Sequence, residues 1–506
     1  MTLLLLVLTA VAATAQQVPF SSPDKYTVFH HPIRRVAVVG AGPAGLQAAA
    51  KLVEHNFTVR LFDRAPSPGG NWFYTDETPV RESYPDSPAD PDAYIPADLP
   101  ATPRPLWDSL HTNSPSIITG LPDVPYSSDT PWILSSHTIQ KHVRAYASLH
   151  NLNANDNPYL SSAPPVTSYS TRVEKREKIE ADQTWRLTLR KLGRLPETNQ
   201  IKAQWWTEDF DAVVVATGPY AAPHVPEIDG IRDWSRVTLD GKHSIYHSQH
   251  YRRPERYLNK TILIVGGSTS ASEIARDIHP FAGKIYASIR NHREWDSSQL
   301  RTLIRFPEDT EFGIKTGGIQ LKNGTVLHGI DEIILATGYR HSTLFFPEYA
   351  AGGTPTNLHW TGHWIPDPTL AYTNVRPWTI GRYQSYAFAK VWEGTAHLPT
   401  QKEMQEDYDN DTYYFRGYIG SGPSEAFYRQ YVWWLNQESL VNGGRFVEPW
   451  PLENREIFAY YSNVHWTARP ITLSNFTEFE KLPASEWPGK ESQWAWDAMV
   501  YNDLSW

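Results

Sequence analysis

The sequence predicts an α/β protein, and three observations predict it. An apolar strand runs into a glycine-rich turn and a helix at VAVVGAGPAGLQAAA, Val36 to Ala50, and again at ILIVGGSTSASEIA, Ile262 to Ala275. Each unit is followed by an apolar strand that ends in the same three residues, Ala216-Thr217-Gly218 and Ala336-Thr337-Gly338. At 506 residues the chain is long enough for two or three domains with cores of their own. The expected architecture is two Rossmann-like dinucleotide-binding domains, one interrupting the other, followed by an irregular C-terminal extension. The expected boundaries are 30–230 and 330–400 for the discontinuous first domain, 235–329 for the inserted one and 401–506 for the extension.

In chain order, an irregular lead-in over 16–34 gives way to a strand, turn and helix from Val36 to His55, then a strand from Thr58 to Asp63. The turn reads Gly40-Ala41-Gly42-Pro43-Ala44-Gly45 and fits G-x-G-x-x-G. Gly40 permits the tight turn, Gly42 lets backbone approach a pyrophosphate, and Gly45 lets helix and strand pack closely. The helix N-terminus offers amide hydrogens and partial positive charge to phosphates. Asp63, eighteen residues beyond Gly45, stands where a carboxylate accepts hydrogen bonds from a ribose diol. The Pro-, Asp- and Ala-rich stretch 84–105 reads as a surface excursion. A helix near Thr138–His150 and strands around Thr171–Val173 and Trp185–Leu189 lead to the buried strand that ends at Gly218.

The second turn places Gly266, Ser268 and Ala271 at the three glycine positions, with Thr269 and Ser270 opening the helix. Alanine at the third position is an accepted variant, whereas serine at the second asks the backbone to accommodate a Cβ. No carboxylate follows at the ribose position. Arg290, with Ser288, His292 and Arg293 nearby, offers cations and a hydroxyl for a 2′-phosphate, which favours NADP over NAD. The unit closes on Gly338. Two turns mean two dinucleotides.

Composition excludes several function classes. The net charge of −9 argues against a nucleic-acid partner. The chain has no cysteine, which removes disulfides, thiol nucleophiles and a redox-active C-x-x-C pair. Its 20 Trp and 27 Tyr read as core and pocket walls. His359 and His363 stand four apart in HWTGHW, but Gly362 and Pro366 argue against a helix, so the pair reads as core or pocket and no metal site is expected. The first residues, MTLLLLVLTAVAATAQQ, form a short apolar run ending in a small-x-small pattern, an expected secretory signal cut after Ala15. Sequons at Asn56, Asn259, Asn323, Asn410 and Asn475 fit that route, with Asn56 and Asn259 beside strands where a glycan fits poorly. The expected location is the secretory lumen or beyond, with no stable membrane anchor.

From about Arg35 to Pro399 the sequence resembles the flavin-containing monooxygenases. The residues that carry the resemblance are Gly69-Gly70-Asn71-Trp72, Leu110-His111-Thr112-Asn113-Ser114-Pro115, the two Ala-Thr-Gly ends and Asp367-Pro368-Thr369-Leu370-Ala371. Of the family fingerprint F-x-G-x-x-x-H-x-x-x-[FY]-[KR], His247 to Arg252 match the second half; Gly241 lies six residues before His247 instead of four, and no Phe precedes it. Tyr251 stands where Baeyer–Villiger relatives carry Trp. The resemblance implies FAD at the first turn with Gly70, Asn71 and Trp72 against the flavin, and NADPH at the second. It implies a C4a-hydroperoxyflavin that delivers one oxygen atom of O2 to a small organic substrate, as in fungal secondary-metabolite tailoring enzymes. Asn113 is the implied catalytic side chain, at the flavin–nicotinamide contact, with Thr112 and Ser114 helping to seat the cofactors. His247 and Tyr251 read as structural or hinge residues and Arg252 as a contact to the nicotinamide dinucleotide phosphate. A secreted NADPH oxidase making hydrogen peroxide and a catalytically inactive binding scaffold remain as alternatives.

Overall fold

The computed structural model describes most positions from 25 to 451. Outside the described residues lie 1–24, 79–103, 154–165, 235–243, 290–302, 312–317, 346–354, 411–421 and 452–506. Shorter breaks fall at 128, 196, 199, 221, 227, 229, 232–233, 308–309, 322–325, 341–344, 374–377 and 450. The expected leader, most of the 84–105 excursion, Arg290 with His292 and Arg293, Asn323, Asn475 and the tail from 452 therefore lie outside them.

The first unit contains β1 (Arg35–Val39), α1 (Pro43–Glu54), β2 (Thr58–Phe62), α2 (Ser116–Thr119), α3 (Ser136–Leu149) and β3 (Thr167–Ser168). An antiparallel trio follows, β4 (Thr171–Ile179), β5 (Thr184–Arg194) and β6 (Ile201–Phe210), and then β7 (Ala212–Val215). A short β8 (Ala222–Pro223) leads to the second unit: β9 (Ser244–His247), β10 (Thr261–Val265), α4 (Thr269–Ile278), β11 (Lys284–Ile289) and β12 (Leu303–Pro307). A small antiparallel sheet of β13 (Thr310–Glu311), β14 (Ile319–Leu321) and β15 (Val326–Leu327) precedes β16 (Glu332–Leu335) and β17 (Tyr339–Arg340). The chain returns through β18 (Leu358–His359), β19 (His363–Trp364) and β20 (Leu370–Tyr372), then forms α5 (Trp378–Glu393), α6 (Gln401–Asp409) and α7 (Gly422–Asn442).

Two parallel cores result. In the first sheet, ordered β18-β19-β20-β7-β1-β2-β3, the strand β1 lies between β2 and β7 and pairs in parallel with both. In the second, ordered β12-β11-β10-β16-β9, the strand β10 takes the same central place between β11 and β16. The central strands β1, β7 and β10 are almost wholly apolar because both faces are covered. Val36 and Val38 of β1 pack with α1 and α5, while Ala37 and Val39 face the layer that includes Trp185, Leu187 and Leu189 of β5. That alternation is the two-residue period of a strand. In the second unit Ile262 and Ile264 face Ala271, Ile274 and Ile278 of α4, and Leu263 and Val265 face Ile319 and Leu327.

One boundary is corrected. The return to the first domain does not begin at 330, because β16 pairs in parallel with β10 and β9 and completes the second sheet. The two crossings between the units run side by side, with β8 paired antiparallel to β17 (Tyr339 opposite Pro223). His359 and His363 face each other across the β18–β19 hairpin, both buried, in the core.

The part of the extension described as far as 451 is largely helical, not irregular. Thr400 and Glu403 form a reciprocal cap on α6. Lys390 of α5 is fully buried and donates to Ser439 Oγ of α7 at 2.7 Å and to the Arg445 carbonyl at 3.1 Å. A buried ammonium needs such acceptors, so α7 belongs to the folded core.

Candidate functional site

At the first turn Gly40 has φ +110°, and a Cβ there would lie 2.5 Å from the Ala216 carbonyl oxygen. Gly45 packs closer still: its Cβ would stand 1.9 Å from the Gly40 carbonyl oxygen. The freedom of Gly42 is used by the chain itself, since a Cβ on Gly70 would come within 2.6 Å of the Gly42 Cα. Gly69 N donates to the Ala41 carbonyl at 3.0 Å and holds the Gly69–Trp72 turn there. Asn71 follows, and its Nδ2 lies 4.0 Å from where a Gly218 Cβ would be. Thus Gly70, Asn71 and Gly218 converge on the glycine turn. Gly42 is the N-cap of α1, no side chain caps that end, and Pro43 opens the helix.

Asp63 sits one residue past β2, buried. Its carboxylate accepts from Ala41 N at 2.6 Å and Ala65 N at 2.7 Å, and Arg104 approaches at 3.5 Å. A carboxylate offers about four acceptor positions, so room remains for one ribose hydroxyl. Arg104, buried beside it, is a residue that the sequence pattern missed. It lies forty-one residues away, and no local signal marks it.

The second turn repeats the construction. Gly266 has φ +128°, and a Cβ would lie 2.3 Å from the Ala336 carbonyl oxygen, as Gly40 stands to Ala216. Ser268 is the N-cap of α4 with φ −106°, an ordinary extended value, so its Cβ costs nothing. Its hydroxyl makes no cap bond, and Ser268 and Thr269 are exposed. Ser270 is half-buried and Ala271 fully buried against the sheet.

Asn113 lies on a loop between the two units. Thr112 is buried: its N donates to the Leu134 carbonyl at 2.8 Å and its Oγ1 accepts from Leu134 N at 3.1 Å. It therefore anchors the loop. Asn113 itself is exposed and has no hydrogen-bond partner among the described residues, and Ser114 is half-buried. The segment that pairs with Thr112 runs into α3, capped by Ser135 accepting from Thr138 N. That helix reaches the Gly69–Trp72 turn region through Arg144 over the Phe73 ring (5.6 Å) and a bond to Ser67 Oγ (3.2 Å).

The fingerprint residues are structural. His247 Nε2 bonds the Gly338 carbonyl at 2.9 Å and its Nδ1 accepts from Gln249 N at 3.1 Å, which fixes a neutral tautomer. Gly338, at φ +86°, also accepts from His224 N at 2.8 Å, so its carbonyl joins both crossings. Arg252 is corrected as a phosphate contact. Its five N–H donors go to the carbonyls of Glu77 (twice), Gln249, Tyr251 and Arg104, and a guanidinium has no sixth.

Burial lowers the His247 pKa from 6.5 to about 3, that of His359 and His363 to about 3, and that of His142 to about 4. Unfolded histidines take up protons below about pH 6.5, while these four stay neutral in the fold until near pH 4 or 3. Their contribution is complete above pH 6.5 and lost as pH falls below it, at about 1.4 kcal/mol per pH unit for each. Urea midpoints should drop between pH 7.5 and 5.5, and His247→Asn should reduce that slope by about one proton. A midpoint unchanged over that range would contradict the burial assigned here.

With this geometry in view, likeness to known proteins is informative. The sequence model of the family "Pyridine nucleotide-disulphide oxidoreductase" matches residues 34–356. The chain is 32% identical to the flavin-containing monooxygenase iboF of Amanita muscaria, over 86% of this chain and 96% of that one. The chain belongs to the flavin-containing monooxygenases. As a flavin-containing monooxygenase it is a flavin-dependent enzyme that uses FAD and NADP. It is also 31% identical to the flavin-containing monooxygenase ustF2 of Aspergillus flavus, over 74% of this chain and 85% of that one. In fold it is similar to the S-allyl-L-cysteine S-oxygenase of Allium sativum, with a TM-score of 0.65 at 20% identity over 94% and 99% of the two chains. The disulfide chemistry in the matched family's description is closed to a chain with no cysteine. The residues fit two dinucleotides: at both turns glycines bring the backbone close, and two helix N-termini without side-chain caps leave amides for phosphates.

Proposed function

We propose that this flavin-containing monooxygenase inserts one oxygen atom of O2 into a soft nucleophile of a small organic molecule, with NADPH as reductant and the second atom leaving as water. The observation that carries this reading is Asn113: an exposed amide, unpartnered among the described residues, on a hydrogen-bonded loop that touches both dinucleotide units. FAD, when bound, supplies the redox centre that takes hydride and reduces oxygen. Gly40–Gly45, Gly70, Asn71, Trp72, Asp63 and Gly218 hold it, and Gly266–Ala271 with Gly338 hold NADP. The Asn113 amide offers two donors and an acceptor. With both cofactors bound, it would orient the nicotinamide carboxamide and offer Nδ2–H to the oxygen being transferred. No protein nucleophile is needed. The resemblance to fungal tailoring enzymes favours a secondary-metabolite substrate, and Tyr251 in place of Trp favours the N- and S-oxygenating and hydroxylating branch. Absorption near ~450 nm that bleaches under nitrogen with NADPH much faster than with NADH tests the cofactor assignment; equal rates with the two reductants would contradict the assignment of the second turn.

The same proposal places the enzyme in the secretory route, with the leader cut after Ala15. The expected obstacle at Asn56 and Asn259 does not arise: both are exposed turn residues with φ +63° and +60°, and Asn410 is exposed at the end of α6. Digestion of the secreted protein with an N-glycosidase should lower its mass by several glycans. An unglycosylated product retaining residues 1–15 would refute the route.

A further inference from the structure

We propose that Asp277 is a positioning residue that couples the dinucleotide helix α4 to the loop carrying Asn113, so that NADP at the second turn sets the placement of the Asn113 amide. The inference rests on the functional reading above and adds a residue and a route to it. Asp277 is the penultimate residue of α4, eleven positions beyond Gly266. Its Oδ2 accepts two hydroxyl hydrogens: from Ser109 Oγ at 2.6 Å and from the Tyr251 hydroxyl. Ser109 stands four residues before Asn113, and Tyr251 lies on the link between β9 and β10 of the second unit. One carboxylate oxygen thus pins three segments: the NADP-side helix, the β9–β10 link and the Asn113 loop. Hydrogen bonds to an ionised acceptor are short and strong.

Two neighbouring residues, Trp107 and Asp108, make the junction stiff. Trp107 meets the Tyr251 ring edge-on at 5.9 Å and 70°. Asp108 takes the Arg253 guanidinium at 3.2 Å and His137 Nε2 at 3.0 Å, while its own N donates to the Arg252 carbonyl at 3.1 Å. On the far side, Ser136 N donates to the Leu110 carbonyl at 2.8 Å and Thr112 is locked to Leu134. The loop from 107 to 112 is therefore held at one end by the second unit and at the other by the segment that opens α3. A shift of α4 on nucleotide docking is passed along a short hydrogen-bonded chain to Asn113. The Ser109 side chain is exposed, and Asp277 is the partner of its hydroxyl.

Ser109→Ala removes one donor at an exposed position, and Tyr251→Phe removes the other. The holoenzyme and both variants are compared by amide hydrogen exchange with and without NADP+, together with flavin content, Tm and NADPH oxidation in air with no substrate added. Wild type should show NADP+ protection at 266–271 that extends to 107–114. In both variants the protection at 107–114 should fall by a factor of about three to ten while that at 266–271 stays, and substrate-free NADPH oxidation should rise by a similar factor. A purely structural bond would lower Tm and leave both readouts unchanged, which overturns the proposal. Protection at 266–271 that never reaches 107–114 in wild type overturns the coupling alone. No protection at 266–271 in wild type overturns the assignment of that turn and the coupling with it.

Discussion

Asn113→Ala should leave the fold and the bound flavin intact and yet cut oxygenated product per NADPH by about 100-fold, the scale of losing one donor to a developing oxygen charge. The structural half of this expectation follows from exposure. The Asn113 side chain bonds to no described residue, and substitutions at such positions stay within about 0.5 kcal/mol. NADPH consumption should continue, with the missing oxygen recovered as hydrogen peroxide. Product yield and peroxide are measured on the same sample, beside Tm and flavin absorbance. A variant that loses flavin or melts early would show that Asn113 holds the loop and not the reacting oxygen. The Thr112→Ala variant is the contrast: Thr112 is buried and receives Leu134 N, so its loss should lower Tm first.

Gly40→Ala should give protein without flavin. A Cβ at this position would be 2.5 Å from the Ala216 carbonyl oxygen, and φ +110° disfavours any L side chain. Neither neighbour can retreat easily, since Ala216 N is bonded to the Val39 carbonyl at 2.8 Å and Gly40 N to the Phe62 carbonyl at 2.7 Å. The expected cost is about 3 kcal/mol or more, a large share of a domain's stability. Absorbance near ~450 nm relative to protein absorbance, with Tm, reads the effect. Gly338→Ala is the control: φ is +86°, but no atom lies within 4 Å of the added Cβ. Its cost should be about 1–2 kcal/mol, with flavin retained. Equal behaviour of the two variants would contradict the close packing of the turn.

The parts legible in the sequence were those whose physics is local. Both glycine turns, the strands β1, β2 and β10, and the helices α1, α3 and α4 follow from apolar runs, glycine spacing and helical period within about fifteen residues. The inserted arrangement was legible too, because the Ala-Thr-Gly strand end appears twice. The boundary at 330 misled because β16 reads as an ordinary buried strand. Nothing within Glu332–Leu335 says which sheet it completes, and only its pairing with β10 decides. Arg252 misled for the opposite reason. A cation beside a fingerprint suggests phosphate, but its donors are taken by carbonyls as far away as Glu77. Ser109 and Asp277 are 168 residues apart, and no pattern in either segment announces the other. The serine at 268 looked like an obstacle only while its φ was unknown.

The measurement that bears most directly on the central claim is an oxygen balance under ¹⁸O2. Purified holoenzyme is given NADPH and either methyl phenyl sulfide or N,N-dimethylaniline, and the products are followed by mass. The account predicts one ¹⁸O atom in the sulfoxide or N-oxide for each NADPH consumed in the coupled reaction, with little peroxide. NADPH consumed at the same rate with all of it recovered as hydrogen peroxide, and neither probe carrying ¹⁸O, would contradict it and leave an oxidase.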